Sequence, residues 1–181
     1  MLIRTPNPNT PLPPDRLAGA GRAFDPHFIP AALNRTDYAR MENLPGYSRI
    51  LLVEDNPADV LLLREALAWH DVKSYLFHAR DGDDAFRLIE EIEATTSPCP
   101  DLFVLDVNLP GKSGFDVLRR VRASRKCSAS PVAVLSSSEA ASDRAQAARL
   151  GASVYIRKPS NLTDFMSVGE TLKAIIAAGH R

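Results

Sequence analysis

The feature that most constrains the fold is an alternation of short apolar runs with amphipathic segments, which begins at Tyr47. Such alternation is typical of βα units, in which helices cover a parallel sheet. We predict strands near residues 49–53, 74–78, 101–105, 131–135 and 153–156. We predict helices near residues 57–69, 83–94, 113–123, 139–149 and 161–177. Right-handed crossovers then give an α/β fold, a (βα)5 three-layer sandwich whose five-stranded parallel sheet has the flavodoxin-like order 2-1-3-4-5.

Local signals support the predicted helices. Pro57 stands at a first-turn position, where its missing N–H costs nothing. Gly151 suits the left-handed residue that follows the fourth helix. The spacing in the first helix indicates one buried face and one solvent face, on the pattern of Leu61, Leu62, Glu65, Ala66 and Trp69.

Polar side chains follow four of the predicted strands at the point where each strand ends. Glu54 and Asp55 follow the first strand, and Asp106 follows the third. Ser136 follows the fourth strand and Lys158 the fifth. In an open parallel α/β sheet, ligands bind beyond the carboxyl ends of the strands, so we expect these groups to meet in one pocket. Three carboxylates, a hydroxyl and an ammonium suit a divalent metal and a phosphoryl group.

The chemistry of these groups points to phosphoryl transfer. A carboxylate such as Asp106 can attack phosphorus and form an aspartyl phosphate. Glu54 and Asp55 can hold Mg²⁺ directly or through water, and the backbone carbonyl of Asn108 can add an oxygen. The ammonium of Lys158 supplies a positive charge that can contact a phosphoryl oxygen.

Each signal also has an ordinary structural explanation. An acidic pair after a strand is often a solvated loop, and a Lys-Pro dipeptide is often a turn. Ser136 and the two serines after it can cap the fourth helix. Their joint occurrence, each at the same end of its own strand, favours the phosphoryl pocket.

Residues 48–177 resemble the receiver domain of the two-component response regulators. The motifs that carry the resemblance are Leu52-Val53-Glu54-Asp55-Asn56, Leu105-Asp106-Val107-Asn108-Leu109-Pro110-Gly111, Leu135-Ser136-Ser137 and Tyr155-Ile156-Arg157-Lys158-Pro159. The resemblance implies a phosphoacceptor at Asp106, with Ser136 and Lys158 as phosphoryl contacts. It also implies that Glu54 and Asp55 are the acidic pair of a Mg²⁺ site.

The resemblance implies a conformational switch as well. By this likeness Ser136 and Tyr155 are the switch residues, and the peptide bond between Lys158 and Pro159 is cis. The domain then accepts a phosphoryl group from a sensor histidine kinase and signals to protein partners.

A narrower resemblance concerns the stretches 54–59 and 136–138. They resemble the small receiver-only regulators that accompany bacterial and cyanobacterial phytochromes, which implies a phytochrome-type kinase. The sequence ends at Arg181, a few residues past the last predicted helix, so we expect no DNA-binding output domain. The partners we expect are a downstream protein or a histidine phosphotransfer protein, and a homodimer is compatible with the sequence.

Two other functions stay open. A phosphatase of the haloacid dehalogenase type also uses an aspartate nucleophile after a strand, but it needs a second Asp where this chain has Asn108. A pseudo-receiver would serve as a constitutive interaction module. A nucleotide switch is excluded, because the sequence contains no Walker loop.

Composition limits the partners and the compartment. Lys and Arg number 22, as do Asp and Glu, so we expect no affinity for nucleic acid or membranes. The start lacks the apolar core of a signal peptide, and no apolar run approaches the ~18 residues that span a bilayer. We therefore predict a cytoplasmic protein with Cys99 and Cys127 as reduced thiols. The basic run from Arg119 to Lys126 is interpreted as a solvated face.

The domain organisation follows from the distribution of proline. Eight of the 14 prolines lie in residues 1–46, a segment without helical or strand periodicity. We predict a disordered N-terminal extension there, a receiver domain at 47–178 and a short tail at 179–181.

Overall fold

The computed structural model describes residues 46–179. The predicted extension at 1–46 lies outside the described residues except for Gly46, and so do the last two residues of the predicted tail. The domain boundaries at 47 and 178 therefore stay predictions.

The described residues form five strands and five helices that alternate along the chain. The strands are β1 (Ser48–Val53), β2 (Ser74–Ala79), β3 (Leu102–Leu105), β4 (Val132–Ser136) and β5 (Val154–Arg157). The helices are α1 (Pro57–Trp69), α2 (Gly82–Ala94), α3 (Gly114–Arg122), α4 (Ala141–Arg149) and α5 (Leu162–Gly179). Every predicted element is present, and no bound differs from the predicted one by more than two residues.

The strands form one parallel sheet in the order β2-β1-β3-β4-β5, which confirms the predicted topology. Val53 at the end of β1 pairs with Leu105 at the end of β3. In the same sheet Ser136 at the end of β4 pairs with Arg157 at the end of β5. The residues that follow β1 and β3 are therefore neighbours at the carboxyl edge of the sheet.

The helices cover both faces of the sheet, as the near-continuous apolar strands require. Ile50 and Leu52 of β1 point to the face that α1 and α5 cover. Leu51 and Val53 point to the other face, where they pack against α2 and α3 together with Ala147 of α4. This alternation along one strand produces the two apolar cores of the three-layer sandwich.

Helix α1 corrects one sequence interpretation. Its buried residues are Val60, Leu63, Ala66 and Leu67. Leu61 is 60% exposed and Trp69 is 75% exposed. The buried stripe thus follows positions 60, 63 and 67, and Leu61 and Trp69 lie outside it although they are apolar.

The basic run also differs from its predicted solvated face. Arg120 pairs with Glu93 at 2.6 Å. The guanidinium of Arg122 donates to the carbonyl oxygens of Ser128, Ser130 and Gly151, and Lys126 donates to the carbonyl of Ile92. The prediction is wrong for Arg120 and Arg122, which are half-buried because one pairs with a carboxylate and the other with loop carbonyls, whereas the rest of the basic run is exposed as predicted.

The two cysteines correct another prediction, because they form a disulfide rather than two reduced thiols. The Cα atoms of Cys99 and Cys127 are 5.4 Å apart, and the pair is separated by 28 residues. Cys99 precedes β3 and Cys127 precedes β4. Since these strands are neighbours, the two loops meet at the amino-terminal edge of the sheet, opposite the predicted pocket.

Two further points concern the backbone. No cis peptide bond occurs among residues 46–179, so the expected cis bond between Lys158 and Pro159 is wrong. The trans form is the lower-energy form of an X–Pro bond. Gly151 has a φ of 84°, which confirms its predicted left-handed conformation after α4.

Within the part of the chain that the structure describes, no helix has the length and apolarity needed to cross a membrane.

Reduction of the disulfide should destabilise the domain. A cross-link restricts the unfolded chain, and one that joins residues this far apart contributes about 2–4 kcal/mol. Urea denaturation with and without dithiothreitol measures this difference. A double variant, Cys99→Ser with Cys127→Ser, should show no dependence on dithiothreitol. Equal stability of the wild-type protein in both conditions would contradict a stabilising cross-link.

Candidate functional site

The carboxyl edge of the sheet is held by backbone hydrogen bonds that continue past the strand ends. The N–H of Glu54 donates to the carbonyl of Ala79 at 3.1 Å, and the N–H of Asp106 donates to the carbonyl of Val53 at 3.0 Å. These bonds keep Glu54 and Asp106 side by side after β1 and β3. The edge therefore positions both carboxylates through the main chain.

Three carboxylates meet at this edge. Glu54, Asp55 and Asp106 each offer an oxygen atom within 4.8 Å of the others. Glu54 and Asp106 are buried, whereas Asp55 is exposed. Oxygen ligands from one or two carboxylates, completed by water, are what Mg²⁺ prefers. This donor set fits a Mg²⁺ ion that Glu54, Asp55 and Asp106 would hold.

Asn108 contributes to the same edge through its backbone. Its N–H donates to Oδ1 of Asp106 at 3.1 Å, which fixes one carboxylate oxygen. The other oxygen of Asp106 accepts from the ammonium of Lys158. A metal contact by the Asn108 carbonyl stays a prediction.

The ammonium of Lys158 contacts three carboxylates. Its Nζ lies 2.7 Å from Oε2 of Glu54, 2.7 Å from Oδ2 of Asp106 and 2.8 Å from Oδ2 of Asp59. The Lys158 side chain is only 10% exposed. An ammonium has three N–H donors, so each donor has a carboxylate partner.

Burial and charge have opposite effects on this cluster. Burial alone would lower the pKa of Lys158, but hydrogen bonds from the ammonium to Asp106, Asp59 and Glu54 outweigh it and raise that pKa above its ordinary value. Burial raises the pKa of Glu54, although the hydrogen bond and the charge of Lys158 act in the opposite direction. The lysine is therefore firmly charged, and it compensates the buried carboxylates.

Helix α3 approaches the back of Asp106 closely. A Cβ atom at Gly114 would overlap with the carbonyl oxygen of Asp106. Only glycine allows the first turn of α3 to pack against the strand end at this point. The Ser113 side chain accepts from the N–H of Asp116, which caps this turn.

The predicted switch residues are linked by the loop that follows β4. Ser136 is fully buried, and its hydroxyl oxygen accepts from the N–H of Ser138 at 3.2 Å. The hydroxyl of Tyr155 donates to the carbonyl of Ser138 at 2.9 Å. Ser138 thus connects the two side chains. The helix α4 that follows begins only at Ala141, after Ala140 without a side-chain cap, so Ser136 is not its cap.

Asp59 is a contact that sequence reasoning missed. It lies in the first turn of α1, five positions after Glu54. Its position one turn into the helix that follows β1 is the signal that could have revealed it, since that turn faces the same edge as the strand end. His78 was also missed, and its Nε2 lies 2.7 Å from the backbone oxygen of Glu54.

Comparison with known proteins identifies the family. The sequence profile of the response regulator receiver domain matches residues 50–168. The chain belongs to this family. It is thus a receiver-domain regulator of the two-component type.

Known receivers share both sequence and fold with this chain. The response regulator Rcp1 of Synechocystis sp. is 33% identical over 126 residues, which cover 69% of this chain and 86% of Rcp1. The crystal structure of the Mn²⁺-bound form of Rcp1 gives a TM-score of 0.63 at 31% identity and covers 70% of this chain and 92% of that chain. The phosphorylated cyanobacterial phytochrome response regulator RcpA gives a TM-score of 0.66 at 34% identity and covers 72% and 94%.

Proposed function

We propose that this receiver accepts a phosphoryl group from a sensor histidine kinase onto Asp106 in a Mg²⁺-dependent reaction, and that it signals through a change of its protein-binding surface. The observation that carries this proposal is the ion-pair cluster that joins Lys158 to Asp106 and Glu54 at 2.7 Å. A buried nucleophile, an acidic metal set and a fixed cation lie together at one strand edge. These are the groups that phosphoryl transfer needs.

In the proposed reaction, Oδ2 of Asp106 attacks phosphorus. The new O–P bond forms as the P–N bond of the phosphohistidine breaks, and the imidazole leaves with the electron pair as a neutral ring, because its other nitrogen carries a proton taken from water. Mg²⁺, when bound, neutralises charge on the transferred group. Lys158 then donates to a phosphoryl oxygen in place of the Asp106 carboxylate.

The same groups support reversal of the signal. An acyl phosphate is open to attack by water from the exposed side of the pocket, where Asp55 lies. We propose that the domain assists both its own phosphorylation and its own dephosphorylation. It is a signalling protein rather than an enzyme that acts on an external substrate.

The proposed output uses the link through Ser138. A phosphoryl dianion on Asp106 attracts the hydroxyl of Ser136 through a charge-assisted hydrogen bond. This movement breaks the hydrogen bond between Ser136 and the N–H of Ser138. The carbonyl of Ser138, which holds Tyr155, then shifts, and Tyr155 changes its position on the face of α4 and β5.

The relatives support a particular kind of kinase. RcpA is a cyanobacterial phytochrome response regulator, and this chain shares 34% identity with it over most of both chains. We propose a phytochrome-type histidine kinase as the upstream partner. A downstream protein or a histidine phosphotransfer protein, a homodimer and a cytoplasmic location also stay proposals.

Two alternatives give different results in one assay. A pseudo-receiver would take up no phosphoryl group. A phosphatase of the haloacid dehalogenase type would hydrolyse the donor in many turnovers without a stable phosphoprotein. Family membership favours the receiver over the phosphatase, and the complete pocket of Glu54, Asp106 and Lys158 argues against the pseudo-receiver.

Phosphorylation is tested with acetyl phosphate and Mg²⁺. Intact-mass spectrometry should detect one added phosphoryl group that is stable in acid and lost in base. Asp106→Asn should remove the labelling without loss of fold, because the amide cannot attack phosphorus. Asp164→Asn, on the exposed start of α5, is the matched control and should label fully. Full labelling of Asp106→Asn would refute the site assignment.

The coupling through Ser136 is tested by amide hydrogen exchange before and after addition of beryllofluoride. In the wild-type protein, residues 137–157 should change their exchange rates. Ser136→Ala should bind beryllofluoride but lose this change, because it has no hydroxyl to move. Ser137→Ala is the control, since Ser137 is exposed, and it should respond like the wild type. A full response in Ser136→Ala would show that the proposed coupling is wrong.

A further inference from the structure

Asp59 is the carboxylate partner of Lys158 that the acidic cluster does not include. Its Oδ2 lies 2.8 Å from Nζ of Lys158. Among the described residues, the carboxylates close enough together to share a metal ion are Glu54, Asp55 and Asp106, and Asp59 is not one of them. Lys158 therefore has one partner that is independent of the metal set.

Asp59 is also fixed independently of the strand ends. It belongs to the first turn of α1, where Asn56 caps the helix by accepting from the N–H of Ala58. Pro57 at the first helical position restricts the backbone there. The Asp59 side chain is 20% exposed, so its carboxylate is partly shielded from water. A rigid turn thus presents this carboxylate to the ammonium.

The other two partners of Lys158 have a competing use. Glu54 and Asp106 belong to the set that fits a divalent cation, and a cation bound to them repels the ammonium. A carboxylate oxygen that ligates a metal also has less charge to offer Lys158. When the cation binds, the ion pair with Asp59 is the one that can persist.

We propose that Asp59 is a positioning residue, which keeps the Lys158 ammonium in the pocket while a divalent cation occupies Glu54, Asp55 and Asp106. A lysine side chain is flexible and carries its charge at the end. It therefore leaves the pocket readily once its carboxylate partners bind a metal ion instead. Asp59 prevents this departure. The inference rests on the proposed function in one respect, because the retained ammonium is the group that meets the phosphoryl oxygens on Asp106.

A different role for Asp59 has to be separated from this one. An acidic residue in the first turn stabilises a helix through the helix dipole, whatever lies beside it. Asp164 has the same position in α5, where its N–H and its carboxylate bond to Asn161. Asp164→Asn is therefore the matched control for Asp59→Asn. Both substitutions remove a first-turn charge, but only Asp59→Asn removes a partner of Lys158.

The test is acylation of Lys158 by a water-soluble N-hydroxysuccinimide ester, followed by peptide mass spectrometry. With saturating Mg²⁺, Lys158 should be modified about tenfold faster in Asp59→Asn than in the wild type, a change equivalent to about 1.4 kcal/mol. Asp164→Asn should match the wild type, and Asp59→Glu should restore protection. In EDTA the difference between Asp59→Asn and the wild type should shrink, because Glu54 and Asp106 still hold the ammonium. Lys112 and Lys73 serve as internal references.

Equal protection of Lys158 in Asp59→Asn and the wild type with Mg²⁺ would overturn the proposal, as would an equal rise in Asp164→Asn. If Asp59→Asn does not fold, nitrogen-15 NMR of the lysine ammonium groups in the wild type decides instead. Lys158 should keep a slowly exchanging ammonium signal when Mg²⁺ is added, and loss of that signal would refute the role of Asp59. Neither experiment involves phosphorylation, so failure of the acetyl phosphate assay leaves this test valid and the reverse also holds.

Discussion

The ammonium of Lys158 compensates the charge of three carboxylates that would otherwise repel one another at the edge of the sheet. Glu54 and Asp106 are buried, and negative charges this close repel each other unless a cation lies between them. Lys158 supplies that cation in the metal-free protein. A buried ion-pair cluster is a costly arrangement for stability alone, since desolvation offsets much of the attraction between the charges. Its arrangement makes sense as a site where a divalent cation can take over Glu54 and Asp106 from the ammonium of Lys158.

The fold brings these charges together from distant parts of the chain. Strands β1 and β3 are neighbours, so Glu54 and Asp106 meet directly. Lys158 follows β5, which lies on the far side of β4. Its N–H donates to the carbonyl of Ser136 at 2.8 Å, which anchors the backbone to β4. From that anchor, only a side chain as long as lysine or arginine spans β4 and reaches the carboxylates. The order of the strands therefore explains why the cation at this position is a long basic side chain.

The fold and most of the candidate site could be predicted from the sequence, because the sequence patterns that indicate them are periodic and local. The alternation of strands and helices predicts the sheet order through general rules of chain crossover. The position of a polar residue directly after a strand predicts the pocket. The contact between Asp59 and Lys158 could not be predicted in this way, because Asp59 lies within a helix rather than directly after a strand. The disulfide was missed as well, because Cys99 and Cys127 were interpreted from the predicted compartment and not from the loops that the adjacent strands β3 and β4 bring together. The exposure of Trp69 could not be predicted either. It depends on how the end of α1 packs against neighbouring elements, and the apolar character of one residue does not indicate that packing.

The competition between Lys158 and Mg²⁺ for the same carboxylates is tested most directly by calorimetric titration. Mg²⁺ is titrated into the wild type, Lys158→Met and Lys112→Met. Lys112 pairs with Asp83 outside the acidic cluster, so its removal controls for the general loss of a positive charge. We expect Lys158→Met to bind Mg²⁺ more tightly than the wild type by about tenfold, because no ammonium then occupies or opposes the metal ligands. Lys112→Met should bind much like the wild type. Equal Mg²⁺ affinity in Lys158→Met and the wild type would contradict the claim that Lys158 and the metal compete for the same carboxylates.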